Sequence, residues 1–246
     1  MFKLRTLSLA VGLLLGLIIG SKTTDPYTSL PSKASFGATP RGVATATADP
    51  IDLGWLSSAK ESTVVVATPF GHGTGVVISH DAEWAYVLTA KHVIDKLPDG
   101  STDLTLTWAS GSTDYQRAGV LVRRHACHDL ALIKAVDVNR LMVPRKLADG
   151  YEWGFVIAMG FPESIFPASV TIGEFINLGY TNPNHPCCFF VQHSAPIWFG
   201  NSGGPLFNLR GELIGINVMI SGYNGHAASD RGWAVGLEDI REFLES

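Results

Sequence analysis

The sequence has few charged residues, few cysteines and no hydrophobic run as long as a membrane span. Charged residues make up 16% of the 246 positions and hydrophobic residues 46%, which supports one large domain or two small ones with a sizeable core. The formal net charge of −4 gives no support for nucleic-acid binding. The three cysteines are an odd number, which excludes complete pairing within the chain. The sequence also shows no solenoid-type repeat and no heptad run.

The longest apolar run lies near the N-terminus. Residues 7–19 are nearly all apolar and follow two basic residues, Lys3 and Arg5, which is typical of a secretory signal. The run is shorter than the roughly 20 residues of a membrane-spanning helix, and no clear small-residue cleavage site follows it. A cleaved signal peptide, an uncleaved membrane anchor within residues 1–22 and a buried N-terminal helix therefore stay open. The first two predict an exported protein that is periplasmic, extracellular or anchored facing outward.

Residues 23–55 lack apolar periodicity and are rich in small and turn-forming residues up to Pro50, which predicts a flexible linker. From there on, short apolar runs separated by turn residues predict strands and almost no helix until an amphipathic segment at 238–245. Such a series is typical of β-barrels or a sandwich. The expected strands are 63–68, 73–79, 84–90, 104–108, 117–122, 130–136, 153–159, 169–179, 188–194, 205–208, 212–219 and 231–235.

The most informative stretch is residues 200–205, in which Ser202 lies among glycines and before a proline. Glycines allow a sharp turn and leave backbone N–H groups free to face a substrate oxygen. A serine hydroxyl is a weak nucleophile unless a histidine takes its proton and a carboxylate orients that histidine. His92 follows the apolar strand 86–90, and Asp129 precedes another apolar strand. The three side chains lie far apart in the sequence, so they can meet only through tertiary folding.

These segments resemble those of chymotrypsin-fold serine proteases, and more closely those of the HtrA (Deg-type) branch. The sequence VLTAKHVI resembles the histidine segment of that family, HDLALIK its aspartate segment and GNSGGPLFNLRGELIGIN its serine segment. The resemblance covers roughly residues 60–246. It implies an all-β protease domain at 56–246, built from two six-stranded antiparallel barrels at about 56–140 and 150–236, with a short C-terminal helix.

The resemblance assigns His92 as the general base, Asp129 as the acid that orients it and Ser202 as the nucleophile. The backbone N–H groups of Gly200 and Ser202 form the oxyanion hole in this assignment. The implied function is a serine endopeptidase that acts on proteins or peptides through an acyl-enzyme and needs no cofactor. One alternative is a catalytically silent homologue that binds peptides or partner proteins in the cleft between the barrels. Another is an esterase with the same triad. The sequence does not determine the oligomeric state.

Two features depart from the patterns of related proteases. Trypsin-like zymogens have an aspartate at the position of Asn201, where it pairs with a new N-terminal amine after activation cleavage. Because asparagine cannot form that ion pair, we expect that no such cleavage is needed. HtrA-like chains commonly continue into peptide-binding PDZ domains, whereas this chain ends at Ser246 directly after the predicted helix, so we expect no such module here.

The primary specificity pocket is expected between two segments that contain no acidic residue, which argues against a preference for Lys or Arg. Asn217 stands near the position where glutamate-specific relatives place a histidine, which argues against acidic cleavage sites. We therefore expect a small or medium apolar residue before the cleaved bond. The expected lining residues are Ala195, Pro196, Ile197, Trp198 and Phe199 on one side, and Ile216, Asn217 and Val218 on the other.

The three cysteines, Cys127, Cys187 and Cys188, leave three alternatives. An exported domain permits a disulfide from Cys127 to one of the other two. A zinc site that combines the cysteines with nearby histidines is the second alternative, although the spacing matches no standard pattern. The histidines of that cluster are His125, His128 and His185. The third alternative, unpaired thiols with exposed imidazoles and no metal, is the one we expect.

Overall fold

The structure is a computed structural model that describes residues 52–110, 113–137, 142–164, 167–182, 185–220 and 231–246. Within these ranges the strands close into two antiparallel barrels of six strands each, and a helix follows the last strand. The predicted all-β class with two six-stranded barrels is therefore confirmed. All the predicted strands are present, although some are longer, because backbone pairing continues beyond the apolar residues from which they were predicted.

The first barrel has a core of aliphatic side chains that alternate along its strands. The strands are β1 (Thr63–Thr68), β2 (Gly71–His80), β3 (Trp84–Thr89), β4 (Leu104–Ser110), β5 (Thr113–Arg124) and β6 (Ala131–Val136). Their order around the barrel is β1-β2-β3-β6-β5-β4. Val64 and Val66 of β1 point into this core with Val77 and Val87 of the next two strands, because alternate residues of a strand face the same side.

The second barrel is built in the same way from the C-terminal half of the chain. Its strands are β7 (Phe155–Gly160), β8 (Ser169–Asn182), β9 (His185–His193), β10 (Pro205–Phe207), β11 (Leu213–Ile220) and β12 (Gly232–Gly236). Their order is β10-β11-β12-β9-β8-β7. Val156 and Ala158 of β7 share its core with Val191 and Leu206.

A third hydrophobic cluster packs the two barrels against each other. It joins Val65 and Leu88 of the first barrel to Ile157 and Phe207 of the second. Val65 lies between two valines that face the first barrel's interior, so both faces of β1 are buried. This explains why β1 reads as a run of valines rather than as an alternating pattern. The shared cluster fixes the cleft between the barrels, where the candidate site lies.

The helices are α1 (Leu56–Ser62), α2 (Lys91–Ile94) and α3 (Leu237–Glu245), with a 3-10 turn at Pro162–Ser164. The amphipathic C-terminal helix begins one residue before its predicted start and buries Ile240 and Phe243. Helix α1 was not predicted, since seven residues show too little periodicity. Tertiary contacts hold it in place: the Trp55 ring packs 5.4 Å from that of Phe207, and its indole N–H donates to the Leu209 carbonyl at 2.9 Å.

The predicted signal peptide or anchor at 1–22, and the predicted linker up to residue 51, lie outside the described residues. In the part of the chain that the structure describes, no helix combines the length and the apolar character needed to cross a membrane.

Candidate active site

His92 lies in the first turn of α2, directly after β3. The residues at the end of β3 are buried, and Ala90 between strand and helix is both buried and extended. The histidine is therefore carried at the end of a rigid element. Its side chain is 42% exposed, whereas the carboxylate of its partner Asp129 is 7% exposed. One side of the imidazole thus faces the protein, and the other is open to the cleft.

Asp129 holds His92 through two hydrogen bonds. The His92 backbone N–H donates to Oδ1 at 2.9 Å, and the ring Nδ1–H donates to Oδ2 at 2.7 Å. Because the same residue is bound through its backbone and its ring, neither the position nor the rotation of the imidazole is free. With the proton on Nδ1, the lone pair of Nε2 points away from Asp129 and can accept a proton.

The electrostatic environment makes His92 a stronger base. Burial disfavours the charged ring, but the hydrogen bond to Asp129 and the charge of that carboxylate outweigh it, with a further contribution from Asp95. The pKa of His92 therefore lies above its ordinary value. A raised pKa strengthens the capture of a proton from a nearby hydroxyl, provided that the ring starts neutral.

Only some of the backbone N–H groups in the loop that carries Ser202 are hydrogen-bonded within the protein. The amides of Asn201, Gly203 and Gly204 donate to backbone carbonyls at 3.0, 2.7 and 2.9 Å. In contrast, within the described ranges the amides of Gly200 and Ser202 have no acceptor. These are the two amides expected to form the oxyanion hole, and the loop geometry leaves them available to an external oxygen.

Two glycines of this loop have backbone conformations that other residues rarely adopt. Gly200 has φ +99° and Gly203 has φ +84°. A Cβ at Gly200 would lie 2.5 Å from the Phe161 carbonyl oxygen, and one at Gly203 would overlap Thr74 and Thr89. Glycine is therefore required at both positions by conformation and by space.

Thr74 of β2 binds this loop to the first barrel, and the sequence analysis did not single it out. Its buried hydroxyl donates to the Gly200 carbonyl at 2.6 Å and accepts from the Phe161 N–H at 3.0 Å. Its backbone N–H donates to the Ser202 carbonyl at 2.7 Å. One sequence feature could have identified Thr74: it is the polar residue in the otherwise apolar segment GTGVV. A hydroxyl buried in such a segment needs hydrogen-bond partners.

His92, Phe199 and Ser202 line both of two cavities in the cleft. One, of about 590 Å³, also contacts Phe70 and Gly200. The other, of about 330 Å³, is enclosed mostly by apolar side chains. The fold thus brings His92, Asp129 and Ser202 together, although among the described residues the Ser202 hydroxyl makes no hydrogen bond to His92. Such bonds are often long without substrate.

The comparisons with known proteins agree with this geometry. A family model, described as a trypsin-like peptidase domain, matches residues 73–216, which is more than half of the chain. The chain belongs to the trypsin-like peptidase family. Among curated members, a probable periplasmic serine endoprotease DegP-like of Pseudomonas putida (strain GB-1) is 38% identical over 153 residues, or 60% of this chain. Its namesake in Marinomonas sp. (strain MWYL1) is 37% identical over 153 residues.

Solved structures share the fold of this chain, and one of them is an HtrA-type protease. The HtrA-type protease AlgW with a tripeptide is 26% identical, with a TM-score of 0.64, over 78% of this chain and 61% of that one. The Rv3671c protease in its inactive form is 21% identical, with a TM-score of 0.62, over 77% and 90%, and shows the fold alone. The region matched to the two DegP-like relatives is 29% of each relative's length.

The 330 Å³ cavity is lined by five of the eight residues predicted to form the specificity pocket. Ile197, Trp198, Phe199, Asn217 and Val218 line it, as expected. The other three predicted residues do not. Ala195 and Ile216 are fully buried in hydrophobic clusters, and Pro196 does not line the cavity. Between Asn217 and Met219 the pairing of β11 with β12 shifts by one residue, which places Val218 at a bulge beside the cavity.

The cysteines also differ from the expectation of unpaired thiols. Cys127 and Cys187 form a disulfide, with their Cα atoms 5.9 Å apart, and Cys188 is free and buried. The bridge removes two ligands from the zinc alternative. His125 is also unsuited to hold a metal, since its Nδ1 accepts two backbone amides and the ring proton must then lie on Nε2. The side chain of His185 lies outside the described residues.

Replacement of Thr74 by valine should lower activity, because it leaves the Gly200 carbonyl and the Phe161 amide without their partner. We expect kcat to fall roughly 10- to 100-fold as Gly200 shifts. The free energy of unfolding should fall by about 1–3 kcal/mol for each unsatisfied group. Peptidase assays and denaturant unfolding measure both. Thr63→Val is the matched control: Thr63 is equally buried and donates to the Ala59 carbonyl. The Thr63→Val variant should be less stable but keep its kcat. An equal loss of kcat in both variants would contradict the role of Thr74 in positioning Gly200.

The pH dependence should report the Asp129–His92 pair. Since the base must be neutral, kcat/KM should rise as pH increases through the raised pKa of His92, above the ordinary value of 6.5. In Asp129→Asn the His92 ring stays buried but loses the carboxylate beside it. The rise of kcat/KM should therefore move to lower pH, and its plateau should be about 10⁴-fold lower. Asp99→Asn, which removes an exposed carboxylate paired with Arg124, is the control and should leave the profile unchanged. If the rise of kcat/KM occurred at the same pH in Asp129→Asn, the assignment of Asp129 as the partner of His92 would be refuted.

Proposed function

We propose that the protein is an exported serine endopeptidase that cleaves peptide bonds with His92, Asp129 and Ser202. The proposal rests above all on one arrangement. A buried carboxylate fixes the histidine through two hydrogen bonds, and that histidine shares two cavities with a serine whose loop leaves two amides unbound. The names of the DegP-like relatives, which are called periplasmic serine endoproteases, support both the activity and the export.

In the first half of the reaction, Ser202 is the nucleophile and His92 the base. Nε2 of His92 takes the hydroxyl proton while the serine oxygen attacks the substrate carbonyl carbon. The negative charge that forms on the carbonyl oxygen is stabilised by the amides of Gly200 and Ser202. Asp129 stabilises the protonated imidazole without taking its proton. The tetrahedral intermediate then collapses, His92 protonates the leaving amine, and the acyl group stays on Ser202.

In the second half, a water molecule replaces the departed amine. His92, neutral again, takes a proton from that water as its oxygen attacks the ester carbon. The same two amides stabilise the second oxyanion, and His92 returns the proton to Ser202 as the carboxylic acid leaves. Every proton transfer uses one ring nitrogen of His92, which is why the fixed orientation of this ring matters for both halves.

A protein or peptide substrate fits the two cavities, because both contain Ser202 while the rest of each is lined mostly by different residues. One can hold the residue before the cleaved bond and the other the residues after it. The AlgW structure contains a tripeptide, which supports peptides as the ligand class. In the 590 Å³ cavity the exposed ring of Phe70 lies near Lys96, whose ammonium is 5.4 Å from the ring centroid.

The environment of Asn201 supports a site that forms without activation cleavage. This side chain is buried, it packs against Gly160, and in the described ranges its Oδ1 has no hydrogen-bond partner. A carboxylate here would be a buried charge without compensation, which is strongly unfavourable. The neutral amide avoids that penalty.

A fluorophosphonate probe tests the proposed nucleophile directly. The folded protein should be labelled covalently at one site, and Ser202→Ala should abolish the labelling, since the probe reacts only with an activated serine. Ser57→Ala, which removes an exposed hydroxyl of α1, is the control and should label like the unaltered protein. Mass spectrometry gives the stoichiometry and the modified residue.

Failure of the folded, unaltered protein to react would contradict the enzyme proposal and favour the silent, peptide-binding alternative. Labelling combined with turnover of esters but of no peptide would favour the esterase alternative instead.

The lining of the 330 Å³ cavity supports an apolar residue before the cleaved bond. Ile197 and Val218 contribute aliphatic surface, and Trp198 and Phe199 contribute aromatic surface, with ring centroids 5.5 Å apart. Within the described lining residues, His92 is the only ionisable side chain. Apolar surface of this kind favours the transfer of an aliphatic side chain from water.

A peptide library should therefore be cut after small or medium apolar residues, and Val218→Ala should shift the preference to larger ones by widening the cavity. The selectivity change should be about 10- to 200-fold per added methylene group, the usual range for an apolar pocket. Val122→Ala is the control, because Val122 is largely exposed and lines neither cavity. A preference for charged residues, or an unchanged profile in Val218→Ala, would show that another surface selects the substrate.

A further inference from the structure

The loop that carries Asp129 is attached to the second barrel as well as to its own. This loop, residues 125–130, is called the aspartate loop below. The loop is held together by internal hydrogen bonds. The His125 N–H donates to the Leu130 carbonyl at 2.9 Å, and the His125 Nδ1 accepts hydrogen bonds from the Cys127 and His128 amides at 3.1 and 2.7 Å. The loop is thus a compact unit whose position depends on what holds it from outside.

The strongest external attachment is covalent. The Cys127–Cys187 disulfide joins the aspartate loop to β9, across 60 positions of sequence and from one barrel to the other. Cys127 is two residues from Asp129, so the bridge acts close to the carboxylate that orients His92. The chain has three cysteines, so no second disulfide within the chain can form beside this one.

The residue after Cys187 reaches the aspartate backbone itself. Burial raises the pKa of the Cys188 thiol, and a hydrogen bond from the backbone of Asp129 partly opposes that rise. Cys188 is 2% exposed. Neighbouring cysteines of β9 therefore contact the aspartate loop at two points, one through a covalent bond and one through a buried thiol.

A weaker attachment connects the loop to α3. Nε2 of His128 lies 3.8 Å from a carboxylate oxygen of Asp239, whose other oxygen accepts the Phe189 amide at 2.7 Å. The distance of 3.8 Å is too long for a hydrogen bond. Without the disulfide, the described residues would hold the aspartate loop only through noncovalent contacts. These are the long His128–Asp239 contact, the Cys188 thiol, the His125 ring 5.8 Å from that of Phe243, and the burial of Leu130 in the cluster between the barrels.

We propose that Cys127 and Cys187 are redox-sensitive positioning residues, and that breaking their disulfide loosens the aspartate loop and slows the chemical step. The inference rests on the proposed function, in which Asp129 orients His92. A displacement of Asp129 by about 1 Å would disturb both of its bonds to His92, and misplacements of this size can slow catalysis by about 100-fold.

The bridge is placed where a soluble reductant can reach it. Cys187 is exposed and Cys127 is partly exposed, whereas Cys188 is buried. An external dithiol gives two electrons and two protons: its sulfurs form a disulfide, and the Cys127–Cys187 bond is replaced by two thiols. Reoxidation reverses the step. The buried Cys188, with its raised pKa, is a poor competitor for exchange with the bridge.

The test compares the oxidised full chain, the same protein reduced with dithiothreitol, and Cys127→Ser/Cys187→Ser. Reduction should lower kcat, and the rate of fluorophosphonate labelling, by roughly 10- to 100-fold, with KM nearly unchanged. NMR titration should show a lower pKa of His92 in the reduced protein, approaching that of Asp129→Asn. Reoxidation should restore all three values. The double-serine variant should behave like the reduced protein and should not respond to dithiothreitol.

Two outcomes would overturn the inference. Alkylation with mass spectrometry must show three free thiols in the reduced sample, and equal rates and an equal His92 pKa in such a sample would refute the positioning role. A lower melting temperature with unchanged rate and pKa would show a purely structural bridge. Should the oxidised protein itself fail to label, the proposed function fails, yet the NMR comparison still decides whether the bridge positions Asp129.

Discussion

The hydroxyl of Thr74 joins the two barrels at the point where the candidate nucleophile is carried. It donates to the Gly200 carbonyl and accepts from the Phe161 amide, while the Thr74 backbone donates to the Ser202 carbonyl. His92 belongs to the first barrel and Ser202 to the second, so a rotation of one barrel against the other would separate them. A buried hydroxyl with two strong partners resists that rotation, since each broken bond would leave a buried polar group unsatisfied.

The chemistry expected of the loop that carries Ser202 depends on which of its backbone N–H groups are hydrogen-bonded within the protein. The amides of Asn201, Gly203 and Gly204 are bound internally, and those of Gly200 and Ser202 stay unbound in the described structure. Gly200 and Gly203 adopt left-handed conformations in this loop, and Thr74 holds the Gly200 carbonyl. The amides are therefore oriented before a substrate arrives, which is what makes an oxyanion hole effective.

On the other side of the cleft, the side chains of His92 and Asp129 are likewise oriented before a substrate arrives. Strand β3 delivers His92 to the cleft, and the loop before β6 delivers Asp129 to the opposite edge of its ring. Burial of the carboxylate strengthens its interaction with the imidazole, and that interaction outweighs the effect of burial on the ring itself. The shared hydrophobic cluster between the barrels supplies the rigid support on which these short polar contacts depend.

The sequence by itself determined the twelve strands, their division into two halves and the order of the three motifs, because alternation, turn residues and glycine-rich segments are local patterns. It could not determine pairings between distant segments. Thr74 meets Gly200 across 126 positions and Cys127 meets Cys187 across 60, and no local pattern encodes such contacts. Helix α1 and the exclusion of Ala195 and Ile216 from the cavity were likewise decided by packing. Periodicity shows that a side chain is buried, but only barrel closure decides which neighbours bury it and which cavity it reaches.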